Sequence, residues 1–339
     1  MRDLVVAGGG PVGLVTSLYA ARAGLDVQVV EPRRGVIDKA CGEGLMPAAV
    51  AGLVDLGVRL QGHRIDGIRY VDPRTDVQAR FRHGPGRGVA RTELHDALLD
   101  AVRATGIEVA HRSVTCVEDR GDHVLVDGEP ARYLVAADGL HSPVRRLLGL
   151  EAPAGVGRRY GLRCHVETVP WTSFVEVHWS PLGEAYVTPV GEDRVGVAVL
   201  GHRGRFEDLL AGISTLAPRL LGLPRSRVRG AGPLRQRSSA RVRGRSLLVG
   251  DAAGYVDALT GEGIAVGVAQ ARAAVAAVVA EDPASYERSW RRVTRRHDLL
   301  TRGLLTVTRH RSLRTRIVPA AAALPRIFEM AVNELARPA

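Results

Sequence analysis

The apolar positions of this 339-residue chain change period twice along its length. At the start, Leu4-Val5-Val6-Ala7 is a run without a polar position, the pattern of a parallel strand buried on both faces. From Pro11 to Ala23 the period lengthens: Leu14, Leu18 and Ala21 mark one face of a helix that Gly24 stops. Asp26 to Val30 reads as a second strand. Met46 to Leu56 reads as a short helix, and Ile68–Val71 with Val77–Phe81 as a β-hairpin around Asp72-Pro73-Arg74-Thr75. A helix opens at Arg91, carries its apolar face on Leu94, Leu98, Ala101 and Val102, and closes at Gly106. Strands are expected at Ile107–Ala110, Val114–Val117 and His123–Val126, the last two as a hairpin, and at Tyr133–Ala137.

Between residue 150 and about 240 the pattern becomes short strands at roughly ten-residue spacing. After a Gly155-Val156-Gly157 linker these are Tyr160–Glu167, Phe174–Trp179, Ala185–Val190 and Arg194–Leu200, and a helix over Phe206–Leu221 returns across them. An antiparallel sheet distinct from the βα region is expected. At Ser246-Leu247-Leu248-Val249 the first style resumes, and an alanine-rich helix runs from Gly263 to about Ala280. It is weakly polar on every face, hence mostly buried. From Pro283 the chain reads as helical and arginine-rich, with a break near Pro319 and Pro325. The expected fold class is α/β, α+β overall: a Rossmann-like βαβ domain, a second domain built on an antiparallel sheet, and C-terminal helices.

Composition narrows the function classes. No apolar run reaches the roughly 18 residues of a membrane span. The first strand begins at residue 4, which leaves no room for a signal peptide, so a cytoplasmic enzyme is expected. Cys41, Cys116 and Cys164 are too few and too scattered for a disulfide framework or a metal cluster. The net charge of +11 raises nucleic acid as a partner. The basic residues are spread along the chain, however, without a zinc-finger, RNP or helix-turn-helix pattern, and none is expected. Nearly all are arginine; Lys39 is the sole lysine, which singles it out as a position that wants an ammonium.

Three glycine-rich stretches carry the chemistry. Gly8, Gly10 and Gly13 form a G-x-G-x-x-G between the first strand and first helix, and Glu31 ends the second strand. Gly8 permits the tight turn, Gly10 lets backbone approach a pyrophosphate and Gly13 lets helix and strand pack closely. Free N–H groups at the helix start, with Pro11 and Val12, face the anion, and Glu31 accepts from an adenosine ribose. The second stretch is Asp138-Gly139-x-x-Ser142-x-x-Arg145, and the third Gly250-Asp251-Ala252-Ala253-Gly254 with Gly261-Glu262-Gly263-Ile264. A fourth loop, Lys39-Ala40-Cys41-Gly42-Glu43-Gly44-Leu45, has glycines placed for close backbone approach.

In this order and spacing, over residues 1 to about 280, these stretches resemble the fingerprints of FAD-dependent oxidoreductases of the p-hydroxybenzoate hydroxylase type. The loop at 39–45 and the third stretch look like the geranylgeranyl-reductase-like branch and its bacterial monooxygenase relatives. The resemblance implies FAD as cofactor and NADPH or NADH as reductant. It implies cofactor contacts from Gly8, Gly10, Pro11, Val12, Gly13, Glu31, Pro32, Arg33, Cys41, Gly42, Arg91, Asp138, Gly139, Gly250, Asp251, Ala252, Gly261, Glu262, Gly263 and Ile264. It divides the chain into an FAD-binding domain (1–66, 86–150 and 241–281), a hairpin joining the substrate sheet (67–85), a substrate domain (151–240) and C-terminal helices (282–339).

The expected activity is monooxygenation: NAD(P)H reduces FAD, and the reduced flavin activates O2 to oxygenate a small, largely apolar, secondary-metabolite-like substrate. Hydroxylases of the family carry histidine and proline where Gly254 and Ala258 stand here. The alternative is a flavin reductase of carbon–carbon double bonds, as in prenyl-chain saturation. Phe174, Trp179 and Tyr186 are candidate pocket walls; Cys41, Glu43 and His178, with His165 beside them, are candidate acid–base groups. No metal-ligand spacing is evident. The Leu- and Arg-rich C-terminal helices are expected to pack on the flavin domain in preference to a membrane.

Overall fold

The computed structural model describes residues 1–154 and 159–337. The expected linker at 155–157 lies outside them. Two sheets dominate. In the first, Ser246–Leu248, Glu129–Ala136, Arg2–Ala7, Val27–Val30 and Glu108–Ala110 lie side by side and parallel. Val6 sits between Val29 and Val135, and Val135 opposite Leu247, so the apolar runs pair in register at the centre. Helices Pro11–Arg22, Arg91–Ala104 and Gly263–Val279 cover it, and the alanine-rich helix packs on the glycine helix.

The second sheet has the order Arg229–Ala231, Tyr160–Glu167, Arg194–Gly201, Gly183–Pro189, Phe174–Trp179, Gly67–Val71, Asp76–Arg80. All neighbours are antiparallel except Phe174–Trp179 with Gly67–Val71, where the hairpin joins in parallel. One face buries Cys164, Val166, Val187 and Val197 under Phe206 and Leu210. The other face turns Val177, Tyr186 and Leu200 toward Leu234, Leu259 and the C-terminal helices.

Three sequence expectations need correction. The strand expected at Val114–Val117 begins only at Val117, as Val117–Asp119. The Asp127 carboxylate accepts the N–H groups of Thr115 and Cys116, a local bond that replaces ladder pairing. The helix expected over Phe206–Leu221 is two pieces, Phe206–Ala211 and Ala217–Leu220. Gly212 caps the first, and Pro218, which has no N–H, starts the second. In the C-terminal region Pro319 does not break a helix but sits in the first turn of Ile317–Ala323, where its missing N–H costs nothing. The interruptions fall at Arg309–His310 and at Leu324, ahead of Pro325 at the start of Pro325–Ala336.

Candidate active site

Between the two sheets lies a cavity of about 1140 Å3, above the ~300–1,000 Å3 of ordinary small-molecule sites. Its two halves differ in chemistry.

The polar half begins at the strand end of Ala7. Gly8 adopts φ +107°, and a Cβ on Gly13 would lie 1.8 Å from the Gly8 carbonyl oxygen. His95 stitches the loop from behind: its Nδ1 accepts the Ile37 N–H, so its Nε2–H donates to the Gly9 carbonyl at 2.7 Å. Around Gly10, by contrast, a Cβ would meet no protein atom within 4 Å. Glu31 is buried at the cavity wall, where it accepts the Gly9 N–H and two bonds from the Arg33 guanidinium. Burial pushes its carboxyl up, but these hydrogen bonds outweigh that and hold it below the usual range.

Gly8, Gly10, Pro11, Val12, Glu31 and Arg33 thus share the cavity with Cys41, Gly42, Arg91, Asp138 and Gly139, and with Gly250, Asp251, Gly261, Gly263 and Ile264. Arg145 holds the second and third glycine stretches together. Fully buried, it donates to the carbonyls of Ala252, Asp251 and Leu140. Asp138 accepts the Val144 N–H at 2.9 Å through one oxygen, while the other is buried without a partner. Arg91 also leaves a buried Nη1 without a partner. Burial raises the carboxyls of Asp138 and Asp251 above the usual range. Lys39 reaches the same space, its Nζ 3.6 Å from where a Gly139 Cβ would stand, and burial pushes its ammonium down. Unpartnered buried donors and acceptors beside open backbone glycines and three cationic side chains fit an elongated, phosphate-bearing ligand such as FAD.

Four expected contacts lie outside the cavity wall. Gly13 is spent on packing against Gly8, Pro32 is exposed beside the cavity, and Ala252 is fully buried. The Glu262 side chain turns to the C-terminal helix, where it accepts from His297 Nδ1 at 2.8 Å.

The apolar half corrects the aromatic expectation. Tyr186 lines it, but Phe174 and Trp179 do not; Tyr70, Phe81, Tyr255 and Phe328 are there instead. His178 also points away. Its strand alternates, so Val175 and Val177 face the cavity while His178 is buried on the opposite face, bonded to Thr215 and Glu176. It does not line the cavity. His165 is not on the wall either; its Nε2 lies 2.9 Å from both oxygens of Glu43. Glu43 reaches the wall but is also tied to the Arg91 N–H at 2.8 Å, which makes it a link between the sheets. Cys41 lines the cavity beside Arg91, and burial pushes its thiol up. The sequence reading also missed the C-terminal contribution: Leu300, Leu304, Val307 and Ala331 wall the far end.

Behind Tyr255 the buried carboxylates Glu184 and Asp257 share one cation, Arg159. Burial raises Asp257 from 3.8 to about 6, and its Oδ1 has no partner. A carboxyl raised in the folded state loses stability as pH climbs through the interval between its two values. Asp257→Asn is therefore expected to be more stable than the parent above pH ~6, by up to about 3 kcal/mol, with the difference closing toward pH ~4. Melting curves across that range check this; parallel curves would contradict it.

Residues 1–188 match the FAD binding domain family. The chain is 32% identical over 337 residues to a menaquinone reductase from Mycolicibacterium smegmatis, covering 87% of this chain and 80% of that protein. It is 28% identical over 296 residues to digeranylgeranylglycerophospholipid reductase 1 from Methanothermobacter thermautotrophicus, covering 78% and 74%. In architecture it is similar to p-nitrophenol 4-monooxygenase from Pseudomonas putida, with a TM-score of 0.79 at 19% identity over 99% of this chain and 95% of that one. With the glycine loop, the Asp138 and Asp251 stretches and the cavity between the sheets in place, the chain belongs to the FAD binding domain family and is an FAD-dependent oxidoreductase of the p-hydroxybenzoate hydroxylase type.

Proposed function

We propose that the protein takes electrons from NADH or NADPH and reduces a carbon–carbon double bond in an apolar, prenyl-type chain. One observation carries the reading: the residues that the second sheet and the C-terminal helices give to the cavity include no carboxylate, imidazole or ammonium. Its polar side chains are the Tyr70, Tyr186 and Thr188 hydroxyls and the Arg163 guanidinium among otherwise apolar residues, so the wall suits hydrocarbon and excludes water, and it holds no carboxylate or imidazole to deprotonate a phenol. The reductases above are similar to this chain over more than three-quarters of its length.

FAD held in this cavity would, once reduced, supply a hydride. The chain's own residues do the rest. Gly10, Arg91, Lys39 and Asp251 would hold the cofactor's polar parts, and free N–H groups at the start of Gly263–Val279 would stabilise negative charge. Ile68, Val177, Leu200 and Leu304 position the alkene. Cys41, kept protonated at neutral pH by burial, is the proton donor within the cavity. The balance is one hydride and one proton added to the alkene and one NAD(P)H oxidised.

The test is an anaerobic assay of the FAD-loaded protein with NAD(P)H and a prenylated quinone or prenylated lipid, read by mass spectrometry. The expected product is heavier by two hydrogen atoms and forms without oxygen. A product that forms only in air and is heavier by one oxygen atom would establish the competing reading, oxygenation by the reduced flavin.

A further inference from the structure

The geometry points to a docking surface on the C-terminal helices that seats the mouth of the cavity on an anionic lipid surface. Helix Pro325–Ala336 is apolar on two sides. Phe328, Val332 and Ala336, four apart, are buried, the first two against the hairpin strand Asp76–Arg80. Leu324, just ahead of the helix, with Ile327 and Met330 forms a second stripe, three apart, that nothing covers: they are 55%, 55% and 61% exposed. Across from them Leu299, on helix Ser285–Thr308, is 73% exposed, and the two helices are joined by Arg296 and Glu334 at 3.0 Å. Leu299, Leu324 and Ile327 also line the cavity. The bare patch and the rim of the apolar half therefore share Leu299, Leu324 and Ile327. A protein that needed only to solubilise these helices would have polar residues there.

Charge selects the occupant. Between Ser285 and Arg337 there are twelve arginines and four acidic residues. Arg292, Arg295, Arg309, Arg316 and Arg326 have no carboxylate within salt-bridge distance among the described residues. Arg326 stands between Leu324 and Ile327 on the same turn. Exposed leucine, isoleucine and methionine set among unpaired arginines match a layer with anionic headgroups outside and hydrocarbon beneath. A second copy of this chain would bring the same positive field against itself. No described helix is long and apolar enough to cross a membrane, so the contact is interfacial. Such seating would open the cavity toward hydrocarbon, and it stands whichever reaction the flavin performs. The expectation that these helices pack on the flavin domain holds for their inner faces, since Ser285–Thr308 packs on Gly263–Val279; the outer rim has a separate use.

The experiment is co-sedimentation of the full-length, FAD-loaded protein with phosphatidylcholine vesicles, with and without phosphatidylglycerol, at low and high salt. Binding is expected to phosphatidylglycerol vesicles and to weaken with salt. Met330→Glu and Arg326→Glu, both outside the cavity wall, are each expected to lower it by about tenfold, with FAD content and melting temperature unchanged. Protein left in the supernatant with anionic vesicles at low salt would overturn the proposal. So would binding that Met330→Glu leaves intact, because the apolar rim would then not be the contact. A dimer seen by light scattering that Met330→Glu dissolves, without vesicle binding, would assign the patch to a second copy instead.

Discussion

Gly13→Ala is expected to melt far below the parent and to retain no FAD. The new methyl would stand 1.8 Å from the Gly8 carbonyl oxygen and 3.3 Å from the Ala137 side chain. Overpacking costs ~1–3 kcal/mol where neighbouring side chains can turn aside. Here the obstacle is backbone, and it has nowhere to go. Gly8 holds φ +107°, its N–H donates to the Val30 carbonyl at 2.8 Å, and the space where a Cβ on Gly8 would stand is closed off by the Ala137 carbonyl oxygen, 2.6 Å away. The helix must lift off the strand, so the loss should reach about 3 kcal/mol or more. Gly10→Ala is the control. Its methyl would meet no protein atom within 4 Å, so the apoprotein should melt like the parent, while FAD affinity falls because that space belongs to the ligand. Melting of the apoproteins and flavin absorbance after FAD loading separate the two. A Gly13→Ala protein that melts with the parent, or a Gly10→Ala protein that collapses with Gly13→Ala, would contradict the division of labour.

The same contrast explains what could be read from the chain before its structure. The glycine loop was legible because each residue's role is local: a strand, a turn with positive φ and a helix start follow one another within thirteen residues. The second sheet was legible too, since Leu162, Cys164 and Val166 alternate with Arg163, His165 and Glu167, and Val175, Val177 and Trp179 with Glu176 and His178. That alternation also held a signal the sequence reading did not use. Val175 and Val177 share a face, so His178 has to point the other way, and the structure bonds it to Thr215 there. What no local pattern carries is which distant helix closes the cavity. Leu304 and Phe328 reach the second sheet and its hairpin only through tertiary packing across more than a hundred residues. The isolated periodicity of their helices specifies an apolar face, not its partner. Arg145 is similar: the run from Asp138 marked it, but its bonds to Ala252 and Asp251 depend on a strand that enters a hundred residues later.

Glu43 separates structural from chemical roles at the site. Its side chain is 1% exposed and stands at φ +61°, in the left-handed region that a non-glycine residue enters only when its surroundings hold it there. One oxygen accepts the Arg91 N–H that opens helix Arg91–Ala104, His165 Nε2 touches both, and Arg163 Nε lies 3.5 Å away. Arg163 is 2% exposed and pairs in turn with Asp38, which Arg229 also holds. One carboxylate therefore joins the loop at 39–45, the first domain's helix and the strand Tyr160–Glu167 of the second sheet. Glu43→Ala leaves the half-buried His165 imidazole and the Arg91 helix-start amide without their acceptor and the buried Arg163 guanidinium without that counter-charge, and removal of one partner from a buried charged cluster costs ~3–5 kcal/mol. Glu43→Gln keeps the volume and one acceptor for the Arg91 N–H, so its loss should be nearer ~1–3 kcal/mol. Both variants should therefore melt below the parent, in that order. Turnover per folded, FAD-loaded molecule of Glu43→Gln should stay within about tenfold of the parent, whereas loss of a proton-transfer group costs about 10²–10⁴-fold. Parental melting with that deeper loss of turnover in both variants would return Glu43 to the chemistry; lowered melting with turnover retained in Glu43→Gln leaves Cys41 as the candidate proton donor.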